Sequence, residues 1–468
     1  MAKVKTSYQC SECGWQSSKW LGQCRNCKAW GTLEETVPVE AADTSSSRNK
    51  ISGKIPQKKA LPIREVDIAD ARFIPTGIGE LDRVLGGGLV AGSVVLLAGE
   101  PGVGKSTLLL DVAGKVASNW KNKSVLYVTG EESAAQVRLR GQRIGALADN
   151  LLLAAETELE NVLGHIDQCS PSLVIADSVQ TIASAQVSGQ AGNVTQVRAV
   201  CSALIEVAKS RGIPILLVGH VTKSGGIAGP RVLEHLVDVV TQFEGDRHTR
   251  LRLLRAVKNR YGATDEVGCF ELVERGIIGL ADPSGLFLSQ TSSRVPGTCV
   301  TVTLEGRRPM PTEIQALVSP LVSGGSARRT TSGLDYSRVA MTLAVLQARL
   351  RLALSQCDVY VSTVGGAKTS EPAVDLAVAL AITSAAQSRP PLEKMVAIGE
   401  VSLTGEIRAT VGCGQRLSEA ARLGFRHALI PRLGADEVTA PRGMTLHPVT
   451  NLAEAVMIAL PEGEPTSK

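Results

Sequence analysis

The sequence is poor in aromatic residues, which make up only 3% of its 468 positions. Aliphatic side chains must therefore fill the cores, and the 44% hydrophobic and 20% charged content excludes a largely disordered chain. No apolar run reaches the ~18 residues that a membrane helix needs. Residues 1–9 also lack the apolar core of a signal peptide. We expect a soluble, cytoplasmic protein with no membrane partner.

The ten cysteines are of two kinds. Six lie far apart in mostly apolar surroundings, which favours reduced core thiols over disulfides. The other four form two Cys-x-x-Cys pairs with ten residues between them: Cys10, Cys13, Cys24 and Cys27. Two such pairs can complete a tetrahedron around Zn²⁺, and four protein ligands leave no open position. We therefore predict a structural zinc site.

The same short module holds three of the four tryptophans of the chain, Trp15, Trp20 and Trp30. Basic residues outnumber acidic ones around them, so the module has the composition of a nucleic-acid or partner contact. The alternative is that the tryptophans are the small core around the metal. The net charge of +5 is too small to decide between the two.

Composition and periodicity divide the chain into four parts. Residues 1–35 form the zinc module, and residues 36–68, rich in Ser, Pro and Lys, are predicted to be a flexible linker. Residues 69–285 alternate short apolar runs with amphipathic stretches, which predicts an α/β domain with a mostly parallel sheet. Residues 286–468 change pattern and predict a separate α+β domain, including a helix near Tyr336–Ser355. The predicted buried strands of the α/β domain are Val94–Ala98, Val125–Thr129, Leu173–Ala176, Ile213–Val218 and Leu251–Val257.

A nucleotide site follows the first of these strands. The motif G-x-x-x-x-G-K-[ST] is matched by Gly99, Glu100, Pro101, Gly102, Val103, Gly104, Lys105, Ser106 and Thr107. Such a loop curls its backbone N–H groups around phosphate oxygens, and the helix that follows adds positive potential. Lys105 is expected to bridge the β- and γ-phosphates of ATP, and Ser106 to ligate Mg²⁺.

Two further strands deliver carboxylates to the same region. The run LVIAD ends in Asp177, which fits a second Mg²⁺ ligand acting through water. The run VLYVTGEE ends in Glu131 and Glu132, either of which can activate the attacking water. We favour Glu131. The alternative is that both are acids that favour a helix N-terminus.

Four motifs occur in order: GEPGVGKST at 99–107, VTGEES at 128–133, LVIADS at 173–178 and KNRYG at 258–262. This order resembles the bacterial RadA (Sms) family of DNA-repair proteins, relatives of RecA and of hexameric DnaB-type helicases. KNRYG is the most specific of the four, although the family usually has phenylalanine in place of Tyr261. The zinc module and the C-terminal part fit as well, so the resemblance covers nearly the whole chain.

The resemblance implies a RecA-like P-loop ATPase core that assembles as a ring, which is expected to be a hexamer. It gives Glu131 the role of the catalytic glutamate and His220 that of a γ-phosphate sensor. Lys258 and Arg260 are expected to reach the nucleotide of a neighbouring subunit, or to couple hydrolysis to DNA movement. The alternative is that these two cations only cap an exposed strand end.

The family also implies single-stranded and branched DNA as substrate, with branch migration during recombination as the outcome. Two glycine-rich loops, 184–193 and 222–231, are expected to hold DNA in a central channel, with Lys223 and Arg231 contacting phosphates alongside Lys258 and Arg260. Neither loop contains an aromatic residue. A RecA-type recombinase or a replicative helicase is the expected protein partner.

Residues from about 300 onward resemble the proteolytic domain of Lon, which has the ribosomal S5 domain 2-like fold. Lon uses a Ser–Lys dyad, but here the nucleophile position is Ala373 and the lysine position falls at Gly414 or Gln415. We therefore expect assembly or DNA binding and no peptidase activity. The candidates for a DNA-facing surface are Arg307, Arg308, Arg328, Arg329, Arg349 and Arg351.

Two other functions stay open on the sequence alone. One is a RecA-like scaffold or signalling ATPase that does not translocate DNA. The other is an ATP-dependent protease, which the Lon-like domain suggests and the missing dyad opposes.

Overall fold

The architecture is that of a computed structural model, which describes residues 7–11, 15–17, 19–36, 62–65, 72–120, 122–220, 233–245, 249–289, 295–321 and 326–461. The chain forms two compact units, Met1–Val66 and Asp67–Lys468. Most of the predicted linker, together with Cys13, Lys223 and Arg231, lies outside the described residues.

The first unit is a small antiparallel sheet. Its strands are β1 (Ser7–Cys10), β2 (Gln16–Ser17) and β3 (Leu33–Thr36), in the order β2-β1-β3. A short 3₁₀ turn, Ile63–Glu65, belongs to the same unit. The sheet brings Cys10, at the end of β1, against the turn that contains Cys24 and Cys27.

The second unit is built on a sheet of nine strands. They are β6 (Val94–Gly99), β7 (Val125–Thr129), β8 (Leu151–Ala155), β9 (Leu173–Asp177), β10 (Ile215–His220), β11 (Val239–Glu244), β12 (Leu251–Asn259), β13 (Val267–Val273) and β14 (Gly276–Gly279). Their order is β14-β13-β12-β11-β6-β10-β9-β7-β8. The six strands from β11 to β8 run parallel and the other three are antiparallel. The predicted α/β class with a mostly parallel sheet is confirmed.

The central strands are parallel because helices cover both faces of the sheet. The helices of this part are α1 (Gly79–Leu85), α2 (Lys105–Asn119), α3 (Ala134–Ile144), α4 (Leu159–Cys169), α5 (Val194–Arg211) and α6 (Ser284–Phe287). A small pair of strands, β4 (Phe73–Ile74) and β5 (Leu89–Val90), flanks α1. Every residue of β6, β7 and β9 is buried, which explains their uninterrupted apolar runs.

The C-terminal part has its own seven-stranded sheet. Its strands are β15 (Thr298–Glu305), β16 (Arg308–Pro320), β17 (Arg329–Ser332), β18 (Cys357–Thr363), β19 (Met395–Ala397), β22 (His427–Pro431) and β23 (Thr445–Val449), beside a short pair, β20 (Glu400–Val401) and β21 (Ile407–Arg408). Its helices are α7 (Tyr336–Leu350), α8 (Asp375–Gln387), α9 (Cys413–Arg422) and α10 (Leu452–Ala459). Three 3₁₀ turns accompany them, Val364–Gly366, Pro372–Val374 and Ala435–Glu437.

The turn between β15 and β16 packs into the ATPase part of the same unit. Arg308 is buried, forms an ion pair with Glu80 of α1, and donates to the backbone oxygen of Ala281 at 2.9 Å. A Cβ at Gly306, whose φ is +62°, would lie 2.1 Å from the backbone oxygen of Asp265. The prediction that Arg308 lies on a DNA-facing surface is therefore wrong: its charge is used inside the unit.

A second buried arginine occupies the region of the lost protease dyad. Arg416, in α9, is fully buried, forms an ion pair with Glu371, and donates to the backbone oxygen of Val302 at 2.6 Å. Ala373 is buried nearby in the 3₁₀ turn, and Gly414 lies in the first turn of α9. The two positions at which the resemblance to Lon predicts a dyad thus hold a buried alanine and a helical glycine, and the ion pair of Arg416 and Glu371 belongs to the same part of the fold.

Replacing Arg416 by alanine is expected to lower the free energy of unfolding of the C-terminal part by about 3 kcal/mol, because Glu371 then loses its partner. Arg422 of the same helix is the matched control. It is half exposed and pairs with Glu419 and Asp282, so Arg422→Ala is expected to cost less than about 1 kcal/mol. Hydrogen exchange of α9 in the full chain measures both. Equal losses in the two variants would contradict the assignment.

Candidate active site

The phosphate loop connects β6 to α2. Gly104 has φ +109°, and a Cβ there would lie 2.3 Å from Cδ1 of Ile277, so only glycine fits. Gly102 also has positive φ, +80°, but faces open space. The loop thus packs against β14 on one side and leaves its other side free for phosphate, as the motif predicts.

Lys105 lies at the start of α2 and folds back over this loop. Its Nζ donates to the backbone oxygens of Gly99 and Glu100 at 2.8 and 3.0 Å, and to Nδ1 of His220 at 3.2 Å. Because its side chain is buried, the pKa of Lys105 is lowered to about 8, although the charges of Asp177 and Glu131 oppose the shift.

His220 connects Lys105 to Glu131. An ammonium group can only donate, so Nδ1 of His220 accepts from Lys105, and the ring faces Glu131 with Nε2. That nitrogen lies 2.9 Å from Oε1 of Glu131. Ser178 donates to the same oxygen at 2.5 Å. Burial raises the pKa of Glu131, but the hydrogen bonds from Ser178 and His220 outweigh burial and leave the pKa lowered. The group is therefore a carboxylate, as a general base must be.

Glu131 and Glu132, which the sequence offered as alternatives for activating water, have different surroundings. Glu132 pairs with Arg140 of α3 at 2.5 Å, and its backbone N–H donates to Oγ1 of Thr129 at 3.1 Å. Glu131 instead points towards His220 and the end of β9. The geometry therefore favours Glu131 as the group that orients water, and it gives Glu132 a structural role.

Asp177 ends β9 beside the phosphate loop. Tyr127 of β7 donates to its Oδ2 at 2.6 Å, while Oδ1 is buried and has no hydrogen bond to any residue that the structure describes. Burial raises the pKa of Asp177, which the bond from Tyr127 opposes. An orphaned carboxylate oxygen near the hydroxyl of Ser106 suits a hard cation, so these two residues fit Mg²⁺. Tyr127 was not anticipated, since one tyrosine in an apolar strand gives no signal.

Lys258 and Arg260 lie at the other end of the sheet. Val239 of β11 is level both with Asn259 of β12 and with Val95 of β6, and Gly99 ends β6 four residues further on. At ~3.3 Å per residue, Asn259 of the KNRYG segment lies about 13 Å from the phosphate loop along the strands. These cations therefore do not join the nucleotide site of their own chain.

Asp238 holds this second site together and was not anticipated. Its buried carboxylate binds Arg260 at 3.0 Å and Lys209 at 2.7 Å, and accepts from the backbone N–H of Val94 at 3.0 Å. Burial raises the pKa of Asp238, but the hydrogen bond from Lys209 and the others outweigh it and leave the pKa lowered. The Nζ of Lys258 donates to the backbone oxygens of Glu234 and Val237, at 2.6 and 2.8 Å. These contacts agree equally with strand capping.

One predicted DNA loop, 184–193, is described and is anchored at its start and middle by a side chain of α5. Gln196 of α5 accepts from the backbone N–H of Ser184 at 3.0 Å and donates to the backbone oxygens of Val187 and Gly189 at 2.6 and 3.0 Å. The loop follows β9, so it lies on the catalytic side of the sheet. The other loop, with Lys223 and Arg231, is outside the described residues.

The cysteine cluster of the first unit has the geometry of a metal site. The sulfurs of Cys10, Cys24 and Cys27 all lie within 4.8 Å of one another, and those of Cys10 and Cys27 are 3.6 Å apart. Three convergent thiols are a soft donor set that fits Zn²⁺. Cys13, the expected fourth ligand, is not among the described residues. A metal held by these cysteines would tie the end of β1 to the turn that contains Cys24 and Cys27, and so stabilise a small sheet with little apolar core of its own.

The fold and the sites define a P-loop ATPase that carries a zinc ribbon and a Lon-like C-terminal domain. Three family models agree with this: an AAA domain matches residues 59–226, a rubredoxin metal binding domain matches residues 8–35, and subunit ChlI of Mg-chelatase matches residues 337–433. Among the helices that the structure describes, none has the length and apolar character that crossing a bilayer requires.

Curated relatives extend the match to nearly the full length. The chain is 52% identical to the DNA repair protein RadA of Mycolicibacterium smegmatis over 464 residues, 97% of either chain. It is 44% identical to the DNA repair protein RadA of Bacillus subtilis over 460 residues, which cover 98% of this chain and 100% of the relative. The chain therefore belongs to the RadA family of DNA repair proteins, and it binds ATP with Mg²⁺ and Zn²⁺ as its metals.

Proposed function

We propose that this chain is a DNA-stimulated ATPase of homologous recombination, which assembles as a hexameric ring and moves single-stranded and branched DNA to promote branch migration. The observation that carries the proposal is that Arg260 and the phosphate loop lie at opposite ends of the strands of the central sheet. A cation on that far side serves a nucleotide only across a subunit interface. A ring in which each site is shared by two neighbours meets this requirement.

In the proposed reaction each group has one task. The phosphate loop and Lys105 bind the triphosphate, Ser106 and Asp177 hold Mg²⁺, and Glu131 orients the attacking water. The bound metal neutralises charge on the phosphates. Arg260 of a neighbouring subunit stabilises the charge that develops on the transferred phosphate. Because completion of the site requires the neighbour, hydrolysis is linked to the arrangement of subunits around DNA.

Mixing two inactive variants tests the shared site. Glu131→Gln and Arg260→Ala, combined in equal amounts and allowed to exchange subunits, are expected to recover about one quarter of wild-type turnover, since about one quarter of the interfaces pair an intact Glu131 with an intact Arg260. Glu131→Gln mixed with Lys105→Ala is the control. Both lesions there affect the same half-site, so no recovery is expected. A first mixture as inactive as the control would show that Arg260 does not act across an interface.

DNA as the substrate is supported by the family and by the anchored loop 184–193 on the catalytic side of the sheet. ATP turnover of the zinc-loaded protein, measured with and without single-stranded DNA, is the direct test, followed by strand displacement on forked DNA. With DNA as the substrate, we expect the activity in the cytoplasm. A RecA-type recombinase or a replicative helicase is the proposed protein partner. A rate of ATP turnover that does not change when DNA is added would favour a scaffold ATPase instead.

A further inference from the structure

Two indole rings of the zinc module are exposed. Trp20 is 60% exposed and Trp30 is 76% exposed. A buried indole stabilises a small fold strongly, and a module with so little core has most to gain from burying one. Neither ring is therefore the core around the metal, and large exposed aromatics mark interaction surfaces.

The two rings lie next to each other over one glycine. A Cβ at Gly22 would lie 3.7 Å from Cζ3 of Trp30 and 3.9 Å from Cη2 of Trp20. The Nε1 of Trp20 donates to the backbone oxygen of Leu33 at 3.2 Å, which fixes the orientation of that ring. Both rings therefore flank a position that has no side chain, and together they form one aromatic patch.

The metal turn itself positions Trp30. The backbone N–H of Gly31 donates to the oxygen of Gly22 at 2.8 Å, and that of Cys24 donates to the oxygen of Ala29 at 2.9 Å. Both bonds close the loop that carries the ligands Cys24 and Cys27. The patch is thus held by the turn that carries two of the metal-binding cysteines.

The surroundings of the patch are basic. Between positions 19 and 34 the charged residues are Lys19, Arg25, Lys28 and Glu34, all exposed. Lys28 has φ +59°, a left-handed conformation that glycine adopts at lower cost. A lysine therefore occupies a position at which the backbone conformation favours glycine, which suggests a use for its charge.

We propose that Trp20 and Trp30 stack on unpaired bases of single-stranded DNA, while Lys19, Arg25 and Lys28 contact its phosphates. The inference rests on the proposed function, because it takes DNA as the substrate. Nucleic acid is favoured over an apolar peptide because the patch combines flat aromatic faces with a net positive rim. The two predicted channel loops contain no aromatic residue, so this module supplies the stacking groups that they lack.

Two oligonucleotides of equal length test the stacking, oligo(dT) and an abasic strand with the same phosphates. The full-length, zinc-loaded protein is expected to bind oligo(dT) roughly 10- to 100-fold more tightly, with quenching of its tryptophan fluorescence. Trp20→Ala with Trp30→Ala is expected to remove that preference at unchanged zinc content. Trp120→Phe, in the ATPase part, is the control and is expected to keep it.

Lys28→Gly tests the phosphate contact separately. Glycine relieves the left-handed backbone, so the fold is retained, while the slope of log K against log salt becomes shallower by about 0.7 for a single strand. A zinc-loaded double tryptophan variant that still prefers oligo(dT) would overturn the proposal, as would a wild type that binds both strands equally. A wild type that binds neither strand overturns the DNA substrate of the proposed function itself.

Discussion

Replacing Glu131 by glutamine is expected to slow ATP hydrolysis by about 100- to 1,000-fold while ATP still binds. The amide keeps the size of the side chain but cannot accept the proton of the attacking water. In the wild type, hydrogen bonds from Ser178 and His220 hold one oxygen of the Glu131 carboxylate and lower the pKa of this carboxyl group. Single-turnover hydrolysis, with binding of a fluorescent ATP analogue measured in parallel, separates the two effects.

Glu132→Gln is the matched control for this prediction. Glu132 adjoins Glu131 in the chain but pairs with Arg140 at 2.5 Å, so its loss is expected to change turnover less than about 10-fold. If Glu132→Gln were the slower enzyme, the roles of the two carboxylates would be reversed.

Replacing Lys105 by methionine is expected to reduce ATP turnover by about 100-fold or more, because the group that bridges the phosphates is lost. Lys115→Met is the control. Lys115 lies on the same helix but is half exposed and pairs with Asp111 at 2.7 Å. It is therefore expected to leave turnover unchanged. A similar loss in both variants would indicate damage to α2 in place of a lost phosphate contact.

The lowered pKa of Lys105 also predicts a pH dependence of stability without nucleotide. The folded protein releases the proton near pH 8, whereas the unfolded chain keeps it up to its ordinary value of 10.5. The unfolded state therefore binds more protons between these values, and stability rises with pH there. Relative to Lys105→Met, the wild type is expected to gain roughly 3 kcal/mol in unfolding free energy between pH 7 and 10.5. Urea denaturation at several pH values measures it, and a constant difference would contradict a buried ammonium.

The buried strands were the most predictable part of the fold. Val125–Thr129 has the predicted bounds, because a strand covered on both faces is apolar throughout. The strand predicted at Ile213–Val218 begins instead at Ile215, after Pro214, which has no N–H to donate. The helix predicted to reach Ser355 ends at Leu350, because Arg351 adopts a left-handed conformation that no glycine announces. The edge strand Leu151–Ala155 was missed, since its partly exposed, alanine-rich run has no clear period.

The site residues were predictable where a sequence motif fixes the backbone conformation. They were less predictable where the packing of distant segments brings the residues together. The phosphate loop is readable because its glycines have a single use, and Lys105 and Asp177 follow from it. Asp238 has no such motif, and its role depends on strands that are distant in sequence. Buried arginines are the clearest limit: arginine is usually exposed, so the sequence alone placed Arg308 on the surface.

The ion pair between Arg308 and Glu80 has a mechanical consequence. The ion pair fixes the tip of the β15–β16 hairpin to α1. The Lon-like domain is therefore expected to move together with the ATPase domain as one rigid body. A rotation of the ATPase domain is then expected to carry the Lon-like domain with it. If the protein forms a ring, a DNA or protein partner bound to the Lon-like domains would move with each round of ATP hydrolysis.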